Sequence, residues 1–126
     1  MDAVLTYTRY TGMLSYATGS TPRRESDWPV INSFKDKGTD DVFNWTSSKA
    51  ARQTCPELTW KVARRKLNAI NAAIQLQDLR VPPGNQLEAL KGDRVGQHSI
   101  RVNDQYRICF VWTDAGADDV EITDYH

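Results

Sequence analysis

Aspartate, tyrosine and histidine close the chain as Asp124-Tyr125-His126, and this tail completes a block beginning at Leu87 that also holds Lys91, Arg94, Arg101 and Arg107 at strand-compatible spacing. A carboxylate, a phenol, an imidazole and several phosphate-seeking cations in one short block are the groups that chemistry on a phosphodiester uses. Each has a plainer reading beside the chemical one. Lys91 and Arg94 bracket Gly92-Asp93, which reads first as a solvated hairpin tip, although a glycine there also lets a phosphate approach the backbone. Arg101 reads first as a surface residue of an edge strand. Glu88, alternating with Leu87 and Ala89, reads as an exposed strand residue or, where strands converge on it, as a base. His126 alone would be a frayed terminus, and only its neighbours make it more. Arg107 differs from these, because it interrupts an otherwise apolar run in which an unpaired guanidinium is costly. It is either paired with a carboxylate such as Asp124 or turned to a polar cleft, and the residues leave both open.

The elements that must position these groups follow from periodicity. From Val30 the pattern alternates, Ile31, Ser33 and Lys35 against Asn32, Phe34 and Asp36, which predicts a short strand stopped by Gly38. A small helix is expected around residues 40–45. Trp60, Ala63, Leu67, Ile70 and Ile74 recur at steps of three and four, predicting an amphipathic helix over residues 56–73 with Pro56 in its first turn. Arg64, Arg65 and Lys66 flank that stripe and give the helix a basic outer surface. Pro82-Pro83-Gly84 stops any helix. Strands are expected over residues 86–90, 98–103, 106–113 and 120–123, separated by Gly92-Asp93, Asn103-Asp104 and Asp114-Ala115-Gly116. Turns this short pair the strands antiparallel. Alternation in 106–113 places Tyr106, Ile108, Phe110 and Trp112 on one face and Arg107, Cys109 and Val111 on the other. The reading is an α+β layer: an N-terminal strand and two helices packed on a curled antiparallel sheet whose other side stays available.

Composition bounds the function. A chain of 126 residues, 40% hydrophobic and 25% charged, fits one soluble globular domain. No apolar run approaches the roughly 18 residues of a membrane span, and the first residues lack the layout of a secretory signal, so the expected location is the cytoplasm. Cys55 and Cys109 form neither a CxxC pair nor a disulfide framework, which leaves free buried thiols and no redox role. Formal charge is zero, which argues against strong sequence-independent nucleic-acid binding. Its distribution is uneven: Lys49, Arg52, Lys61, Arg64, Arg65 and Lys66 face only Glu57 over one stretch, whereas Asp114, Asp118, Asp119, Glu121 and Asp124 have no cation among them. One basic and one acidic face are expected. Residues 1–29, rich in Thr, Tyr, Ser and Gly, read as a weakly structured appended segment with a short strand at 4–10 at most, and Val30 or a neighbour as the natural start.

Leu87-Glu88-Ala89-Leu90-Lys91-Gly92-Asp93-Arg94, then Asn103-Asp104-Gln105-Tyr106-Arg107-Ile108-Cys109-Phe110, and the closing Asp124-Tyr125-His126 resemble the HigB group of the RelE/ParE superfamily of bacterial toxins, as does Val81-Pro82-Pro83-Gly84-Asn85. The resemblance covers residues 30–126 and leaves 1–29 outside. It implies a RelE-like fold and a ribosome-dependent messenger-RNA endonuclease, the toxin of a type II toxin-antitoxin system, that inhibits translation without a metal or cofactor. Cleavage would follow attack of a ribose 2′-hydroxyl on the adjacent phosphate. It also implies a HigA-type helix-turn-helix antitoxin as partner, through which alone the chain would meet operator DNA. By matching motifs, Asp124, Tyr125 and His126 become the catalytic tail, with Arg107 and Lys91 on the phosphate; Glu88 stands where a relative has histidine. Arg94, Arg101, Arg64, Arg65 and Lys66 become contacts to RNA or the ribosome. Two other classes share the fold-level pattern: a ParE-like toxin that poisons DNA gyrase by binding, and a non-catalytic partner subunit. Tyr125-His126 favours the nuclease, because a gyrase binder needs no proton shuttle.

Overall fold

The computed structural model describes residues 30–124; residues 1–29, with the expected strand at 4–10, and the terminal Tyr125 and His126 lie outside the described residues. After β1 (Val30–Ile31) come three helices, α1 (Lys37–Phe43), α2 (Lys49–Thr54) and α3 (Glu57–Ala72), and then β2 (Glu88–Ala89), β3 (His98–Arg101), β4 (Tyr106–Thr113) and β5 (Gly116–Asp124). One sheet results, ordered β1-β5-β4-β3-β2. The run from β2 to β5 is an antiparallel meander, while β1 lies parallel to β5, so the sheet is mixed. This is the expected α+β, RelE-like layer, with one more short helix than periodicity indicated.

The leading strand is shorter than its alternation suggested. Only Val30–Ile31 pairs as a strand, followed by a single bridge from Phe34 to Val120. Gly38 stops nothing: it sits inside α1, where a Cβ would collide with Thr54 and the Ala50 carbonyl of α2. Its role is the close crossing of two helices. Asp36 caps α1 by accepting from the Thr39 amide at 2.7 Å, and Ser48 caps α2 by accepting from Ala51 at 3.0 Å. With six residues, α2 spans too few turns to show a helical period.

α3 behaves as its spacing requires. Ala63, Leu67 and Ile70 are fully buried beneath the sheet with Ile108, Phe110 and Ile122 opposite them in one core. Burying each large aliphatic side chain contributes about 1.5–3 kcal/mol. Ile74 lies beyond the helix and is exposed, since the chain turns away at Ala73. Asn71 on α3 accepts from the Ile31 amide at 3.0 Å, and the buried Thr39 hydroxyl on α1 accepts from the Ile122 amide at 3.1 Å, fastening helices to strands. Gly116, at φ 121°, stands where a side chain would overlap the Val30 backbone, so the parallel contact of β1 with β5 needs glycine there. Among the described residues no helix is long and apolar enough to cross a membrane.

Candidate functional site

Helices cover one face of the sheet; the other carries the polar groups. Residues opposed across neighbouring strands share a face, and the register pairs Glu88 with Ser99, Ser99 with Cys109, Arg101 with Arg107, Cys109 with Glu121 and Arg107 with Thr123. Four strands therefore deliver Glu88, Ser99, Arg101, Arg107, Glu121 and Thr123 to one surface around the buried Cys109.

Arg107 is the best-held of these. Its side chain is 11% exposed, its Nε donates to Ser99 Oγ at 2.8 Å, and one terminal nitrogen, Nη2, donates to the Gln86 carbonyl at 2.6 Å and the Ser99 carbonyl at 3.3 Å. Of the two arrangements open for Arg107 from sequence, the structure supplies a carboxylate, but from Glu88, whose Oε1 is 3.8 Å away and whose side chain is half exposed. Asp124 is the register partner of Tyr106, on the helix side, and accepts from Gln105 Nε2 at 2.9 Å. Among the described residues, the other terminal nitrogen of Arg107, Nη1, has no hydrogen-bond partner, which leaves its donors for a ligand. A guanidinium fixed by side chain and main chain, with one edge unused, can grip a phosphate without reorganising.

The loop before β2 makes that grip. Asn85, fully buried, donates to the Leu79 and Val81 carbonyls and accepts from Lys66 Nζ at 2.5 Å. Gln86 then turns into the left-handed region at φ 48° and offers its carbonyl to Arg107. Non-glycine residues held there concentrate at functional sites. Beside it, a cavity of about 430 Å³ opens along the sheet edge, sharing Gln86 and Glu88 with the Arg107 site and bounded by Leu76, Gln77, Arg80 and His98. His98 stacks on Phe110 with ring centroids 6.4 Å apart, and its buried Nδ1 has no hydrogen-bond partner among the described residues.

The remaining cations divide. Arg94, half-buried, donates to Gln97 at 3.0 Å and to Glu121 at 3.2 Å, and Lys35 lies 3.7 Å from the same Glu121 oxygen. Burial pushes the Cys109 thiol above its ordinary value, with Arg94, Arg107 and Lys35 opposing that rise and Glu121 adding to it; Glu121, the register partner of Cys109, brings Arg94 and Lys35 beside it. Arg101 pairs with Asp104 in the following turn. Lys91 is exposed, and its side chain has neither ion pair nor hydrogen bond among the described residues.

The expectation that Arg64, Arg65 and Lys66 together make the outer surface of α3 basic is corrected. Arg64 is buried, its Nε donating to the Val42 carbonyl at 2.9 Å, because the Trp45 ring folds over its guanidinium. Lys66 is spent on Asn85, and burial lowers its pKa. Arg65 alone of the three is fully exposed. The structure thus brings Arg107, Glu88, Arg101 and Arg94 onto one face and turns Arg64 and Lys66 inward; Lys91 stays exposed, and Tyr125 and His126 lie outside the described residues. Ser99, the Gln86 carbonyl, Lys35 and Glu121 were missed. Ser99 had a signal, since the tight turn after β3 fixes the register and brings it within reach of position 107. Among the described residues, no three His, Cys, Asp or Glu side chains converge closely enough to hold a metal ion.

Comparison with known proteins agrees with this architecture. Residues 32–126 match the family described as RelE-like toxin of type II toxin-antitoxin system HigB. Toxin HigB-1 of Vibrio cholerae is 39% identical over 84 residues, 67% of this chain and 85% of that protein. An uncharacterised protein of Haemophilus influenzae is 46% identical over 55 residues, 44% of this chain and 54% of its own length. The chain belongs to the HigB-like family of RelE-like toxins of type II toxin-antitoxin systems.

Proposed function

We propose that this toxin is a ribosome-dependent messenger-RNA endoribonuclease whose phosphate grip is Arg107. The observation that carries the reading is the anchored guanidinium on the sheet face away from the helices, with one terminal nitrogen that has no partner among the described residues. Internal cleavage requires a proton removed from the 2′-hydroxyl, charge stabilised on the phosphorane and a proton delivered to the leaving oxygen. In this scheme Arg107 and Lys91 hold the nonbridging oxygens and His126 shuttles the proton at neutral pH. Tyr125 stacks on a base or donates a proton; Asp124, set on the helix side by its register, is given no contact with the phosphate. Glu88, beside Arg107, is the candidate second base. Arg94 and Arg101 meet the flanking backbone. The reaction needs no metal, because each charge and proton has a side chain assigned to it. A formally neutral chain finds its RNA because the ribosome presents the message, which places the activity in the cytoplasm. The neutralising partner is a HigA-type helix-turn-helix antitoxin, which carries the pair to operator DNA. Residues 30–126 form the toxin unit, with 1–29 appended.

Mapping the 5′ ends of messages after induction tests this. Cuts inside translated codons, bearing 5′-hydroxyls and absent when the last two residues are deleted, are expected. DNA damage with intact messages would replace the reading with gyrase poisoning, and the absence of both signals would favour a non-catalytic subunit.

A further inference from the structure

A second constructed surface lies on the helical side, away from the Arg107 face. Arg64 is 6% exposed, yet none of its nitrogens meets a carboxylate among the described residues; it has the Val42 carbonyl and the Trp45 ring, whose centroid is 3.3 Å from Cζ. A desolvated guanidinium normally has a carboxylate beside it, because a buried charge without one is costly. Its neighbourhood supplies only more cations: a cavity of about 220 Å³ is bounded by Trp45, Lys61, Arg64, Arg65 and Asn68. Among the described residues the hollow is thus lined by three cations, an indole and one amide, with no carboxylate, which suits an incoming anion.

Its surroundings are apolar as well. Trp45 is 74% exposed and held at φ 62°, where a bulky side chain is uncommon, and Leu58 is 96% exposed. Leu58, Lys61, Arg65 and Asn68 follow helical spacing along the outward side of α3, so the leucine and the cations form one stripe. Phosphodiester backbone would use the cations and a base could stack on the indole, but neither has use for a bare leucine. A protein segment alternating carboxylates with apolar side chains matches all of them.

We propose that this surface receives an acidic, amphipathic segment of the toxin's antitoxin, with one carboxylate seated on Arg64 and apolar side chains against Trp45 and Leu58. The partner's carboxylate completes the ion pair that Arg64 lacks among the described residues. Binding energy in such contacts concentrates in buried arginine and tryptophan anchors. The proposal is independent of how the toxin acts on its target.

The test uses the full toxin and the antitoxin encoded with it, with affinity measured by calorimetry at 0.15 M salt. Lys61→Glu with Arg65→Glu is expected to weaken the complex at least tenfold, and Leu58→Asp to do the same alone; both positions are exposed, and far-ultraviolet circular dichroism verifies folding. Should the double variant fail to fold, Leu58→Asp decides. Any loss smaller than tenfold in a folded variant overturns the proposal. If antitoxin affinity is kept while cosedimentation with ribosomes is lost, the face belongs to RNA.

Discussion

Arg107 and Arg64 occupy opposite sides of one sheet and solve the same problem differently. Each carries its guanidinium largely withdrawn from water, Arg107 in an apolar strand and Arg64 beside the buried stripe of an amphipathic helix. Arg107 is surrounded by acceptors, namely Ser99 Oγ, two carbonyls and the nearby Glu88, and one terminal nitrogen has no hydrogen-bond partner among the described residues. Arg64 has one carbonyl and an aromatic lid, and burial alone lowers its pKa. A charge gripped from behind is poised for small-scale chemistry at its open edge; a charge under a lid, amid other cations, waits for a partner large enough to bring its own anion. On the proposed reading, the sheet takes the substrate and the helices take the antitoxin.

The largest expected effect breaks the contrast at Arg107. Removing one well-placed donor to a developing oxyanion costs roughly 10²–10³-fold in rate, so Arg107→Ala should lower message cleavage by that order in 5′-end mapping while leaving antitoxin binding unchanged. Arg107→Lys should recover little, because a point charge cannot hold Ser99 and Gln86 and still present a planar edge. Arg64→Ala is expected to do the reverse: about 3 kcal/mol of stability lost in urea unfolding, from the abandoned Val42 carbonyl and the lost stem packing, with cleavage per folded molecule unchanged.

The two cysteines report on the two regions separately. Burial pushes the Cys55 thiol up to about 11, from an ordinary value near 9. The native state therefore keeps its proton where the unfolded chain gives it up, so this contribution is complete below pH 9 and is lost as pH rises through 11. The loss amounts to up to about 2–3 kcal/mol, and Cys55→Ala should flatten that part of an unfolding series between pH 8.5 and 11. Cys109, also raised by burial, is held down by Arg94 and Arg107; thiolate absorbance should show its titration moving higher in Arg107→Ala and staying put in Arg64→Ala. The smallest effect is at the lid: Trp45→Ala should cost about 1 kcal/mol of cation–π stabilisation in the same unfolding assay, with no change in cleavage.

Periodicity made β4, α3 and the meander legible, because each buries one face over several repeats. β1 and α2 were harder to read, being two and six residues long, too short for a period to rise above local composition. Gly38 looked like punctuation because its reason is a tertiary contact with Thr54 and Ala50. At the site, strand alternation correctly set Arg107 apart from its aromatic neighbours, but the identity of its carboxylate, Glu88 rather than Asp124, depended on which residues register places on its face. Arg64 was misread for a related reason: helical spacing shows which side a residue leaves from, and the fold of Trp45 over it comes from a loop with no period.

Purified toxin, ribosomes and a defined message offer the most direct test of the phosphate-grip account. The parent chain is predicted to cut the message within the codon being read and leave a 2′,3′-cyclic phosphate and a 5′-hydroxyl, whereas Arg107→Ala, folded and ribosome-bound, cuts it roughly 10²–10³-fold more slowly. Cleavage by Arg107→Ala at the parental rate would contradict the account.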